Sequence, residues 1–142
     1  MVLVATLSPY RLKAAEPEIR MEDYEAGILY KPSEEQIKLI SQANALRRTT
    51  QGQCVSAIRN FLGVGRDQVS GIAKNLIINS EIPQIGAIIK LDMSRNGHIG
   101  VIIDINKEVI TYYDSNGNLN EKADVRIIKV DDIRVLGYKI VE

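Results

Sequence analysis

An α+β fold is expected for this chain, and three features of the sequence carry the expectation. Apolar residues recur at helical spacing before Pro83, β-branched residues gather into five short runs after Gly86, and turn dipeptides separate those runs. Helices first and strands afterwards is the order of an α+β domain, whereas a doubly wound α/β sheet would alternate them. The size fits one such unit. At 142 residues, 45% hydrophobic and 25% charged, the chain can bury a single core without a disulfide or a structural metal.

Residues 1–32 carry Pro17 and Pro32 and no sustained periodicity, so they read as an N-terminal extension to a domain spanning 33–142. Ser33 and Gln36 form an S-x-x-Q capping box, and Ile37, Ile40, Ala43 and Leu46 follow at helical spacing, predicting a helix to about Arg47. After the polar stretch 49–53, the pattern Cys54, Val55, Ala57, Ile58, Phe61 and Leu62 predicts a short amphipathic helix that Gly63 and Gly65 end. A third helical pattern, Val69, Ile72, Ala73, Leu76 and Ile77, stops before Pro83. Strands are expected at 87–91, 99–105, 109–113, 125–130 and 133–141. Asn106-Lys107 and Asn116-Gly117 are turn dipeptides, so neighbouring strands should pair as antiparallel hairpins.

Composition removes several classes of function. Eighteen basic residues balance eighteen acidic ones, so the chain lacks the positive field that nucleic acid or an anionic membrane surface would engage. A single cysteine closes no intrachain disulfide, and one histidine beside it cannot complete the usual Cys/His zinc sets. The apolar residues within 1–7 are too few to span a bilayer and follow no basic segment, so neither a membrane span nor an export signal is expected. Asp114-Ser115-Asn116-Gly117-Asn118 has glycine at the fourth place of a calcium loop rather than the sixth, and Val125 stands where the bidentate glutamate belongs. No metal and no cofactor are therefore expected. Gly63-Val64-Gly65 is too short for a phosphate loop and follows a helix, and Glu34-Glu35 is a solvated helix start rather than a glycosidase pair.

Two residues stand out because each is the only one of its kind. Cys54 opens a predicted helix, where unpaired N–H groups favour a thiolate; the ordinary role of a lone cysteine is that of a small buried apolar residue. His98 stands at the entrance of the second strand and is the one side chain that normally titrates near neutral pH, so any base in this chain is His98. One strand later, Asp114 and Asn116 are two apart on extended backbone and share a face. Either can orient a histidine, and both are also common hairpin-end residues.

Four segments occur in a telling order: Gly52-Gln53-Cys54, Pro83-Gln84-Ile85-Gly86-Ala87-Ile88, Gly97-His98-Ile99-Gly100-Val101-Ile102 and Asp114-Ser115-Asn116. Together they resemble the G-Q-C, P-x-x-G-A-I, G-H-V-A-V-V and E-x-N segments of the CHAP and NlpC/P60 cysteine amidase/endopeptidases, over roughly residues 33–141. The resemblance implies a papain-like domain, with N-terminal helices packed on an antiparallel sheet of about five strands. It implies that Cys54 attacks an amide carbonyl, His98 moves the proton and Asp114 or Asn116 orients the imidazole, with Asp114 favoured because a carboxylate supports an imidazolium better than an amide does. The backbone N–H of Cys54 would face the oxyanion, with a second donor from the turn ending at Gln53 or from Asn116.

The implied substrate is the peptide part of peptidoglycan, met at the cell wall or periplasm after delivery by a phage, a particle or a secretion route. A targeting or inhibitor protein would engage residues 1–32. Val55-Ser56-Ala57 replace the Thr, Trp and Tyr that many members carry after the cysteine, and the calcium-binding aspartates of some members are absent from 45–53. Two other readings use the same residues: an inert papain-like binding or particle-assembly module, and a cysteine peptidase acting on protein.

Overall fold

The structure, a computed structural model, describes residues 32–142; the expected extension, Pro32 apart, lies outside the described residues. Ser33 starts the first helix by accepting a hydrogen bond from the Gln36 N–H at 3.1 Å, and α1 runs Glu34–Leu46. The reciprocal half of the expected capping box is not made. Gln36 is buried, and its amide donates instead to the Ile103 carbonyl at 3.2 Å and to Asp104 Oδ1 at 2.7 Å. This sets the helix rotation: Gln36, Leu39 and Ala43 face inward, while Ile37, expected in the core, is exposed. The second helix, α2 (Cys54–Leu62), buries Ala57, Ile58 and Phe61. It ends at Gly63, whose left-handed φ of 68° lets its N–H return to the carbonyls of the last turn.

Residues 69–77 do not form the third helix that their spacing predicts. Val69, Ala73 and Leu76 enter the core, but only Ala73–Asn75 closes, as a single 3-10 turn. Gly71 takes a φ of 76°, which no right-handed helix accommodates. The Lys74 N–H, which a helix would give to the carbonyl four residues back, donates to the Asn96 carbonyl at 2.8 Å. A long-range bond thus replaces a short helix that would be marginal on its own.

The strands are β1 (Ile88–Leu91), β2 (His98–Asn106), β3 (Val109–Ser115), β4 (Ala123–Lys129) and β5 (Val135–Lys139). They form one antiparallel sheet in the order β4-β3-β2-β1-β5. The first four pair with their chain neighbours, as the turn dipeptides predict. The last does not: β5 leaves β4 and pairs with β1 at the far edge. Four inter-strand spacings put the edges of a flat sheet about 19 Å apart. The registers also set Lys129 level with Asn106 and Val135 level with His98, so in a flat sheet residues 130–134, which carry two bonded turns, Asp132 N–H to Lys129 O and Val135 N–H to Asp132 O, could not join them, and the sheet must curl.

Curling gives the sheet two dissimilar faces. Both helices pack on one, where Leu39, Ile58 and Phe61 meet Ile88, Ile99, Val101, Ile103, Tyr113 and Val125. Phe61 and Tyr113 stack with ring centroids 4.1 Å apart, a pair of a kind that adds about 1 kcal/mol beyond its buried area. The other face gathers Ile89, Leu91, Ile102, Ile110, Tyr112, Ile128 and Tyr138. A register irregularity between Ile102 and Asp104 interrupts the alternation of β2, and Asp104 turns toward Gln36 of α1 there. Among the described residues, no helix is long and apolar enough to cross a membrane.

Candidate active site

Cys54 is placed by the turn that precedes it. Residues 48–53 are stitched to the β3–β4 connection: the Arg48 N–H donates to Ala123 O at 2.7 Å, Gln51 and Gly52 both donate to Glu121 O, and the Ala123 N–H returns to Thr49 O. The fully buried Ser115 donates its hydroxyl to Gly52 O at 2.6 Å, tying the turn before Cys54 to the end of β3. Gln53 is the N-cap of α2, but its side chain makes no capping hydrogen bond, so no Gln53 side-chain atom covers the first-turn N–H groups. Cys54 itself is a half-buried free thiol.

His98 is placed by a glycine. Gly97 has a φ of 76°, and a Cβ there would lie 2.8 Å from the backbone nitrogen of Lys74, so only glycine lets β2 begin against the 73–75 turn. His98, 5% exposed, then points across the sheet toward β3. Its Nε2 lies 2.8 Å from Asp114 Oδ2. An ionised carboxylate has no proton to give, so Nε2–H donates and Nδ1 is the ring nitrogen left over; Cys54 is near enough to the ring to favour its protonated form. Burial by itself would lower the His98 pKa. The hydrogen bonds to Asp114 and Cys54 and the charges of those two groups outweigh it, and the net result is a rise to about 9.

Asp114 is fully buried at the end of β3. The register pairs Val101 with Tyr113, so Asp114 lies one residue further toward His98, at a diagonal that long side chains span. Its other partner is Arg126, whose Nε donates to Oδ2 at 2.9 Å and Oδ1 at 3.1 Å. Arg126 is absent from the sequence reading. It sits opposite Tyr112 on β4, within the run Val125 to Ile128, and its signal was one cation in a β-branched strand. That signal points to Asp114 only once the β3–β4 register is known.

The structure thus brings Cys54, His98 and Asp114 together. The side chains of the other two candidates, Asn116 and Gln53, are not part of that group. Asn116 has a φ of 67°, and its Oδ1 accepts the Glu121 N–H at 2.8 Å, which spends the side chain on the turn. Gln53 is exposed and contributes backbone only: its carbonyl accepts from Ala57 N–H and the Ser56 hydroxyl. Among the described residues, no group of three or more His, Cys, Asp or Glu side chains is arranged to hold a metal ion. A cavity of 710 Å³ lies elsewhere, at the C-terminal end of α2, lined by Lys38, Gln42, Asn60, Gln84 and Val141 among others and by none of the three clustered residues.

No family model matches this chain, and no curated protein does. Solved structures do. The crystal structure of Ly7917 superposes with a TM-score of 0.56 at 14% identity, covering 72% of this chain and 61% of that one. The structure of Ly7917 with the hydrolyzing product of MDP gives a TM-score of 0.58 at 16% identity over the same shares. The two chains share a fold over 72% of this one, and the match spans 61% of the length of Ly7917.

Proposed function

We propose that this protein is a papain-like cysteine hydrolase of the CHAP and NlpC/P60 type that cleaves amide bonds in peptidoglycan peptides. The observation that carries the proposal is the His98 imidazole bonded to a buried carboxylate, with the thiol of a helix start near enough to raise its pKa. Nucleophile, base and orienting group stand in the order that thiol acyl transfer requires. Similarity of fold to Ly7917, described with the hydrolyzing product of MDP, supports a hydrolase whose substrate belongs to the peptidoglycan fragments. The site of action on this reading is the cell wall or periplasm.

In the first half-reaction the Cys54 sulfur attacks the amide carbonyl carbon and the C–N bond breaks. Protonated His98 delivers its proton to the departing amine, leaving a thioester on Cys54. In the second half-reaction neutral His98 takes a proton from water, hydroxide adds to the thioester, and the acid leaves as the proton returns to the Cys54–His98 pair. The oxyanion of each tetrahedral intermediate lies against the Cys54 N–H, with a second donor from the 51–53 turn. Asp114 holds Nε2–H throughout, which leaves Nδ1 as the nitrogen that gains and loses the proton.

The test is digestion of purified peptidoglycan by the full chain, followed by release of free amines and by mass spectrometry of the soluble peptides. New amine termini that appear with wild type and not with Cys54→Ala support the proposal, and the fragment masses identify the bond. Amine release by Cys54→Ala equal to wild type overturns it. Cleavage of denatured protein without cleavage of peptidoglycan would reassign the enzyme to protein substrates, and stoichiometric binding without turnover would make it a binding module.

A further inference from the structure

The Asp114 carboxylate has no exposed surface, yet one of its two cationic partners is not permanent. In the proposed cycle His98 is charged while the thiolate waits and neutral once the amine has left. A buried carboxylate whose only counter-ion discharges midway would be left charged and unpaired away from water. Arg126 is placed to prevent this. Its Nε lies 2.9 Å from the same Oδ2 that His98 uses, and a guanidinium does not discharge at any working pH.

A second, independent feature closes the pair from outside. A Cβ on Gly117 would fall 2.7 Å from Asp114 Oδ2, 2.8 Å from Arg126 Nη2 and 2.9 Å from its Nε, so the β3–β4 turn lies directly over the ion pair and a larger residue there must displace it. We infer that Arg126 is a positioning residue for the reaction: a fixed counter-charge, roofed by Gly117, that holds Asp114 in place while His98 gains and loses its proton.

The groups facing His98 account for its titration. Cys54 comes from α2, Asp114 from β3, and Arg126 of β4 acts through Asp114. On the β1 side its register partner is Leu91, which is uncharged. The other acid of this part of β4, Asp124, is engaged with Arg47 at 3.1 Å. Arg126 therefore opposes protonation of the His98–Asp114 pair, and removing its charge should make the pair hold its proton to higher pH.

The inference rests on the proposed function for its kinetic part, but its test needs no substrate. His98 is the only histidine, so isotope-labelled histidine gives one NMR titration curve. Arg126→Met should move the midpoint upward by about one pH unit, the scale of a neighbouring charge, while Arg126→Lys stays close to wild type. Gly117→Ala, which wedges the pair apart, should shift it in the same direction as Arg126→Met. Where Arg126→Met does not fold, Arg126→Gln keeps an N–H donor without the charge and reads the same quantity. An unchanged midpoint in a folded Arg126→Met or Arg126→Gln overturns the inference and leaves Arg126 a merely structural residue. In turnover, Arg126→Met should slow thioester hydrolysis more than thioester formation, so acyl-enzyme accumulates. Should wild type digest nothing while the titration shifts as expected, the functional reading fails and the electrostatic one stands.

Discussion

Two carboxylates enter this sheet on adjacent strands and meet different partners. Asp114, at the end of β3, is bonded by a guanidinium and an imidazole. Asp104, at the irregularity in β2, is bonded by the neutral amide of Gln36 and by the Ile105 backbone. Burial pushes the Asp104 pKa up, and the Gln36 and Ile105 hydrogen bonds only partly offset it. The difference shows what a buried acid needs in order to act. With a permanent cation it can serve as a fixed orienting anion; with a neutral amide it fastens α1 to the sheet and is penalised for its charge.

The contrast breaks first at the groups Asp114 serves. Cys54→Ala and His98→Ala should each remove measurable amine release from peptidoglycan while far-UV circular dichroism stays native. Asp114→Asn should lower kcat by about 10⁴-fold, the cost of the corresponding substitution in a serine triad, where the wrong tautomer is trapped. Asn116→Ala should leave kcat within a few-fold and cost only the turn bond to Glu121, about 1 kcal/mol by chemical denaturation. A reversal, with Asn116→Ala the more damaging to kcat, would make Asn116 the orienting residue and return Asp114 to structure.

The pH dependence sharpens the comparison, because His98, the partner of Asp114, and Asp104 impose losses in different windows. His98 is raised from 6.5 to about 9, so the stability it contributes is complete below about pH 6.5 and is lost as pH rises through about 9. Urea midpoints should therefore fall between pH 7 and 10, and His98→Gln should flatten that fall. Activity should decline over the same high-pH limb as the ring loses the proton that the leaving amine needs. Asp104 is also raised, so its contribution is complete below the ordinary carboxylate range and is lost as pH climbs through its elevated value. Asp104→Asn keeps an acceptor for Gln36 and removes the penalised charge. It should raise neutral-pH stability slightly, by no more than about 1 kcal/mol in chemical denaturation, and leave peptidoglycan digestion unchanged. A large loss of activity in Asp104→Asn would erase the distinction between the two carboxylates.

Much of the site is legible along the chain because its groups are scarce. One cysteine and one histidine leave no rival for either role, and the polar turn ending in Gly52-Gln53 marks where α2 begins. Asp114 and Asn116 are not separable by local pattern: two apart on a strand, they differ only in where the chain bends. The bend at Asn116, with its φ of 67°, turns one side chain back to Glu121 and leaves the other against His98.

Local periodicity by itself determined the starts of α1 and α2 and the existence of the five strands, because each depends on neighbours within a few positions. Tertiary structure decided everything that needs two distant segments to agree. Ile37 is exposed because Gln36 found Asp104, and residues 69–77 form one 3-10 turn rather than a helix because Lys74 found Asn96. Likewise β5 lies beside β1 because the sheet curls, and Arg126 meets Asp114 because β3 and β4 pair in one register. Periodicity reports which face of an element is apolar; register and curvature, which it does not report, decide what that face meets.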